Sequence, residues 1–562
     1  MNRQSSFFGF IVAGAIALLV IVITGFYWLF AKSPANITAS ASQPSATIFV
    51  SKFAPVTVSL LVNPDRLQAL EREGELSKLK TSLLAKSNIN YQEDIQPWLG
   101  NEITLALTSL DIDRDPENGQ QPGYLMALTT TQPQKSREFV ELLFSKRVLA
   151  GANLGTEEYE GVKLLYDNPP PKEDFLAGAA VGVSEGPRKE ARYVLFANDL
   201  KVLKDAINNV QAPDLNLNSS VQYQKATQQL PKGALALAFL NLPTLAKWQG
   251  LELREPTYDS EIISLVLNSK GLVAETSFLS SLETTSSSPT PLVSQPVGAL
   301  QYIPQSAGLA ISGANLSNLG DTDLAKLWKQ ATATISGSSK DVNSQIAKPF
   351  SELQNRWGIN LPEDIFSWVK GEYAIALLPQ NEQKTDSWVF VVEKTPEVAE
   401  GISRLDAIAS TKGLNINSLS LNNQKISAWT DLIATSKKLE DKDSLAYTVE
   451  TKVQGAHTTL GNYEIFTSDL ETIAEIISVE ENSLIKNRNF QDSIAAIPQP
   501  NQGYVYLDWR KSQNLVERQL PILKLVELVG KPFFENLRSL TVSSYGSETG
   551  LLKGRVFFKL QP

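Results

Sequence analysis

Two stretches of this 562-residue chain repeat one another at a fixed spacing, and that repetition restricts the fold more than any other feature. Ile89 to Leu107 reads INYQEDIQPWLGNEITLAL, and Ile359 to Leu377 reads INLPEDIFSWVKGEYAIAL. At an offset of 270, nine of nineteen positions are identical: Ile89, Asn90, Glu93, Asp94, Ile95, Trp98, Glu102, Ala106 and Leu107. The same offset returns where Arg192 to Ile207 meets Asn462 to Ile477, with Tyr193, Phe196, Asp199 and Leu200 matching Tyr463, Phe466, Asp469 and Leu470. With small shifts the match runs on. Tyr223-Gln224 and Leu230-Pro231 correspond to Phe490-Gln491 and Ile497-Pro498, and Gly271 to Phe278 corresponds to Gly550 to Phe557. Self-similarity on this scale implies two copies of one supersecondary plan. A half-length echo, a Pro followed by an alternating stretch ending in Asn or Asp, recurs at Pro55–Asn63, Pro231–Asn241, Pro304–Asn315 and Pro498–Asp508.

The expected layout is therefore a cytoplasmic tail (1–6), a membrane anchor (7–30), a Ser/Ala/Pro-rich linker (31–46), a first repeat (47–280), a Ser/Thr/Pro linker (281–296) and a second repeat (297–562). Within a copy, Val56 to Val62 alternates as a strand does, and Arg66 to Lys86 spaces its leucines as a helix does. Strands are predicted at 102–107, 124–130, 162–166, 176–183, 193–197 and 234–240, with a closing hairpin over 262–279. Helices are predicted at 134–149 and after Asn198-Asp199, where the acid caps a run whose apolar face is Leu200, Leu203, Ala206 and Ile207. Strands outnumber helices and mostly follow one another without crossover helices. The expected class is α+β: an N-terminal transmembrane helix followed by two tandem homologous repeats, each a largely antiparallel sheet with packed helices.

Phe7 to Phe30 is an uncharged run bracketed by Arg3 and Lys32. Its 24 residues would reach about 36 Å as a helix, enough to cross a bilayer core of about 30 Å with some tilt. A cleaved signal peptide has a shorter apolar stretch and a small-residue cleavage site, whereas Tyr27, Trp28 and Phe30 are bulky and suit an interfacial belt. The chain has no cysteine and one histidine, His457, which removes disulfides, thiolate nucleophiles and cysteine metal sites. The missing cysteines and the polar stalk after the anchor place the bulk of the chain outside the cytoplasm. A net charge of −9 argues against nucleic acid as partner.

Candidate chemistry is sparse. The repeated Glu-Asp-Ile-x-x-Trp motif reads as structure, with Asp94 and Asp364 at the start of a short helix and Ile95 and Trp98 packing beneath it. Gly182 to Gly186 fits G-x-S-x-G around Ser184, yet Pro187 follows where a nucleophile elbow needs a helix, so a hairpin loop is expected. His457, in QGAHTTLG, reads as a solvated loop residue. Asp111, Asp113 and Asp115 alternate like calcium ligands, but Pro116 and Pro122 stand where a calcium loop needs its turn glycine and closing glutamate. The second repeat has no such cluster, and a solvated acidic tip is expected there, with calcium as the alternative. No other metal or cofactor site and no catalytic residue is indicated.

Taken together, the anchor, the Pro-led strand with its Leu-rich helix, the E-D-I-x-x-W segment leading to E-x-x-x-A-L (Glu93–Leu107, Glu363–Leu377) and the Tyr-x-x-Phe-x-x-Asp-Leu helix entry resemble a mainly cyanobacterial family of membrane-anchored proteins, catalogued only as a domain of unknown function. The resemblance implies a domain facing the periplasm or the thylakoid lumen and supplies no reaction. The expected function is that of a non-enzymatic, single-pass membrane protein held by residues 7–30, whose repeats form a binding or scaffolding surface for a protein partner or an apolar ligand. A carrier or chaperone for a lipid, pigment or peptide is the first alternative and a carboxylate hydrolase the second.

Overall fold

A computed structural model describes residues 43–62, 91–113, 115, 121–168, 176–182, 191–248, 258–268, 270–280, 291–327, 330, 360–380, 386–438, 445–478, 482–519 and 531–561. The apolar run 7–30, the leucine-rich segment 66–86 and the Ser184 loop lie outside them. Among the described residues no helix is long and apolar enough to cross a membrane.

The described residues of 43–280 supply ten strands: β1 (Val56–Leu60), β2 (Leu99–Ser109), β3 (Gly123–Thr130), β4 (Leu154–Tyr159), β5 (Val162–Asp167), β6 (Ala177–Gly182), β7 (Ala191–Ala197), β8 (Ala236–Asn241), β9 (Ser260–Asn268) and β10 (Gly271–Leu279). The described residues of 291–561 supply ten more: β11 (Leu309–Gly313), β12 (Tyr373–Leu378), β13 (Ser387–Glu393), β14 (Asn415–Leu421), β15 (Gln424–Lys438), β16 (Leu445–Leu460), β17 (Tyr463–Thr467), β18 (Tyr504–Asp508), β19 (Leu537–Ser544) and β20 (Leu551–Leu560). All pair antiparallel in one sheet. From one edge the order is β4-β5-β6-β7-β3-β2-β1-β8-β9-β10. It continues β20-β19-β18-β11-β12-β13-β17-β16-β15-β14 to the other edge. The second ten strands thus retrace the first ten in reverse. The Pro-led echo segments become β1 beside β8 and β11 beside β18, each pair at the heart of its half.

Helices cover both faces. On one face of the N-terminal half lie the helical turn Ala46–Phe49, α2 (Leu200–Gln211) and α3 (Val221–Thr227), burying Phe49, Leu203, Ile207 and Tyr223 against Leu195, Phe239 and Ile262. The opposite face carries α1 (Pro133–Leu149), whose Phe139, Val140, Leu143 and Phe144 pack on Trp98, Val194 and Phe196. α4 (Leu242–Trp248) follows β8. In the C-terminal half α5 (Pro396–Thr411) takes the place of α1, α6 (Leu470–Ile477) that of α2, and α7 (Arg488–Ala495) that of α3. α8 (Trp509–Gln519) follows β18, and α9 (Lys531–Asn536) precedes β19. Asp199 and Asp469 cap α2 and α6 as their position predicts, accepting from Lys201 N at 2.7 Å and Thr472 N at 2.8 Å.

The halves join where β10 pairs with β20 from Gly271↔Lys559 to Leu279↔Leu551. One face of this junction is apolar: Leu272, Leu507, Trp509 and Phe533 form one cluster, and Leu240, Leu245, Phe278, Leu327 and Leu552 another. The other face sets a smaller apolar cluster of Val273, Ile497, Tyr504 and Phe557 beside charge: Glu275 is bound to both Arg555 and Tyr545, while Arg555 Nη1 donates to Ala496 O at 2.8 Å.

Three sequence expectations change. β4 has no counterpart among the predicted strands, because LGTEEY lacks an apolar face. β15 and β16 run far longer than any strand expected. His457 is not in a solvated loop: it lies on β16 with its ring stacked on Phe466 and tilted against Trp429, at centroid distances of 5.6 and 5.2 Å.

Candidate functional site

The duplicated motif positions sit at matching places and hold the frame. Trp98 and Trp368 are buried, and each indole Nε1 donates to a backbone carbonyl four residues back, Asp94 O at 2.7 Å and Asp364 O at 2.6 Å. The two carboxylates diverge. Asp94 pairs with Lys146 of α1 at 3.2 Å, whereas Asp364 accepts from Asn360 N at 2.7 Å. Asp364 thus complements the start of the short helix Leu361–Ile365 as expected, Asp94 in the first turn of Tyr91–Ile95 turns to Lys146 instead, and the contact both share is the carbonyl that takes the indole N–H. Glu102 and Glu372 do share a carboxylate role. Glu102 accepts from Ser45 N and Ala46 N, each at 2.8 Å, at the start of the turn Ala46–Phe49; Glu372 accepts from Gly298 N at 2.7 Å, at the start of Gly298–Tyr302. An anion at those N–H groups, which have no partner within their helical turn, offsets their lost hydration. Tyr463 also donates to Glu372, at 2.8 Å, and burial followed by that carboxylate raises the phenol's pKa.

The halves part company at the outer strands. Both make a two-residue turn with positive φ, Glu160-Gly161 and Asn422-Asn423, and both begin the next ladder alike, Leu164↔Ala179 to Tyr166↔Ala177 and Ile426↔Thr458 to Ala428↔Ala456. The next residue decides the outcome. In the N-terminal half it is Asp167, only 2% exposed, gripped by Arg147 through Nε at 3.0 Å and Nη2 at 2.6 Å and by Leu176 N at 2.9 Å. There the β5–β6 ladder ends. In the C-terminal half it is Trp429, whose Nε1 donates to Asp406 of α5 at 2.8 Å. A bulge follows, and β15 and β16 continue as a ribbon, Asp431–Lys438 pairing with residues 445–452. Eight pairs reach about 26 Å. Leu432 and Val449 stand 58% and 69% exposed on it.

On the other side of the same ladder the strands splay apart. The C-terminal half bridges the gap: Gln424 Nε2 donates to Thr459 O at 2.6 Å, and Thr458 Oγ1 to Lys425 O at 2.7 Å. In the N-terminal half the matching positions are Val162, Ala180 and Ala179, which have no polar side-chain atoms. A cleft of about 500 Å³ results, walled by Val140, Val162, Leu165, Val181, Ile207 and Val210. Arg137 and the Glu141–Lys163 pair, 3.2 Å apart, stand at its rim. Such a wall can take a small apolar group, with the charges of Arg137, Glu141, Glu160 and Lys163 around it.

The remaining candidates separate further. Asp113 accepts from Asp115 N at 3.1 Å and Asp111 from Gln121 N at 3.2 Å, while Lys201 of α2 donates to Ile112 O at 2.7 Å, so the described residues of this segment are held by their own backbone and by α2. Among the described residues no group of three or more His, Cys, Asp or Glu is placed to hold a metal. His457 Nε2 has no hydrogen-bond partner among them; burial lowers its pKa, against the charges of Asp406 and Glu464. Sequence reading passed over Glu261. It is buried on β9 beside Phe278, accepts from Thr276 Oγ1 at 2.8 Å, and burial pushes its carboxyl up to about 7. A glutamate inside an otherwise apolar strand was the available signal.

Comparison with known proteins gives one family, whose model, described as "Protein of unknown function (DUF3352)", matches residues 11–560. No curated protein matches the chain. Among solved structures it is similar to crystal form I of TP0453, at 9% identity over 45% of this chain and 82% of that one, with a TM-score of 0.24. Crystal form III of TP0453 stands at 10% identity over 44% and 84%, again with a TM-score of 0.24.

Proposed function

We propose, for a chain that belongs to the DUF3352 family, that it is a non-enzymatic binding scaffold built from two copies of one ten-strand unit and tethered to a membrane by residues 7–30. The observation that carries this reading is the division between what the halves share and what they do not. Shared positions are packing and capping groups: the Trp98 and Trp368 indoles, the Glu102 and Glu372 carboxylates, and the helix caps Asp199 and Asp469. The sites that differ lie at the outer ends of the sheet, where a partner can reach them, and the projecting β15–β16 ribbon is the largest of them. The retraced strand order supports the tandem reading, and a family match that begins inside the apolar run supports counting that run as part of the protein. The bulk of the chain then stands in the periplasm or the thylakoid lumen.

The test is affinity purification of the tagged full chain from detergent-solubilised membranes, beside a variant whose ribbon, residues 433–450, is replaced by a two-residue turn. The expected result is a stoichiometric protein partner that the wild type retains and the shortened variant loses. Retention by both chains removes the ribbon from the reading. Protease treatment of sealed vesicles tests topology: digestion of the sheet from the cytoplasmic side overturns the orientation.

One observation favours a second reading, that of a carrier for a small apolar ligand, and it is the open cleft beside Val162 and Val181. Organic extraction of the same purified material decides it. One apolar molecule per chain without a protein partner supports the carrier and defeats the scaffold.

A further inference from the structure

The sheet has two free edges, β4 and β14, and among the described residues no strand pairs with the outer side of either. Open edges invite pairing unless charge, proline or a bulge opposes it. β4 is defended: LGTEEY carries Glu157 and Glu158, with Glu157 fixed by Lys204 at 2.7 Å. β14 is not. Its sequence, NINSLSL, has no charge, proline or glycine, and it pairs with β15 in unbroken register from Asn415↔Thr430 to Leu421↔Gln424. Asn415 to Ser420 are all exposed, including Ile416 at 44% and Leu419 at 39%.

We propose that β14 is a self-association edge, at which two chains pair antiparallel about a twofold axis through Ser418. A strand that meets its own copy must tolerate every opposition the symmetry imposes. Here the pairs are 415 with 421, 416 with 420, 417 with 419 and 418 with itself, and none brings two charges together. In a chain of net charge −9 that neutrality keeps like charges out of the seam between two copies, whereas a charged peptide would find main-chain hydrogen bonds there but no ion pair. The fold already contains an antiparallel edge-to-edge union of matching strands, at β10 and β20. The ribbon does not obstruct the pairing. It extends past the Asn415 end of β14, and antiparallel docking sends the two ribbons to opposite ends of the new seam. The inference stands on the edge alone and does not depend on what the ribbon or the cleft binds.

The absence of cysteine makes the test direct. Residues facing each other across an antiparallel pair lie about 4.5 to 5.5 Å apart at Cα, within disulfide range. Full-length Ser418→Cys in its membranes, mildly oxidised, is expected to run as a covalent homodimer on a non-reducing gel, while Glu158→Cys on β4 stays monomeric. In sedimentation of the detergent-solubilised chain, Ser418→Lys is expected to weaken dimerisation at least tenfold with an unchanged melting temperature. Equal cross-linking at the two positions, wild-type dimerisation of Ser418→Lys, or a Ser418→Cys adduct to another protein in place of a homodimer would each overturn the proposal.

Discussion

Leu164 to Tyr166 and Ile426 to Ala428 occupy the same place in the two halves, yet the chain beyond them goes separate ways. Asp167 still pairs with Leu154 of β4 but ends the ladder with β6, because a buried carboxylate must be paired and Arg147 on α1 and Leu176 N hold it. Trp429 continues its ladder because an indole needs only one acceptor, Asp406, and its ring completes an aromatic stack with His457 and Phe466. Gly178 stands at the N-terminal half's counterpart of His457, where an added Cβ would lie 2.9 Å from Phe144 and 3.0 Å from Phe196. The frame therefore accepts either solution, and which one it takes is settled by a few buried polar contacts per half.

The largest effects should come from what is common to both halves. Trp98→Ala and Trp368→Ala are each expected to cost about 3 to 5 kcal/mol in denaturant unfolding. Unequal costs would mean that the two motifs no longer do the same job. Next come the contacts that differ. Arg147→Ala leaves Asp167 buried without its cation and should cost about 3 kcal/mol, whereas Asp406→Ala removes one hydrogen bond and should cost about 1 kcal/mol.

A pH effect of on the order of 2 kcal/mol is expected at Glu261, whose carboxyl is raised from 4.5 to about 7 in the fold. The native state binds the proton more tightly, so this stability is complete below pH 4.5 and is lost as pH rises to about 7. Glu261→Gln should remove that slope from melting temperatures taken across the range. His457 works in the opposite sense: with its pKa lowered, its contribution is present above pH 6.5 and is lost as pH falls. The two windows overlap, so the single variants are needed to separate them. The smallest change, Val162→Gln, copies the Gln424 bridge into the open cleft; it should move stability by no more than about 1 kcal/mol while reducing any apolar probe bound there.

Much of the fold was legible because its elements are locally consistent. Alternation marked β1, and Asp199 marked the start of α2 before any contact was known. Strand order was not legible, since β3 pairs with β7 and β10 with β20 across long separations that periodicity does not encode. Two of the polar strands, β4 and β14, escaped for want of an apolar face. His457 was misread because threonines follow it, although one of them, Thr458, is buried. The cleft was illegible for a simple reason: it arises from missing polar atoms at Val162 and Ala179, and an absence has significance only beside a counterpart that fills it.

The β10–β20 seam has a consequence for how this protein can change. In a dimer of identical subunits every substitution appears twice, so an ion pair straddling the axis requires both partners to be acceptable on both sides. Here Glu275 faces Arg555 while Thr276 faces Gly554, and if Gly271 matches Gly550 these two pairs are symmetry mates of unlike content. Joining the halves in one chain frees each side to mutate alone. It also makes their union independent of dilution, which no separate pair of subunits can match.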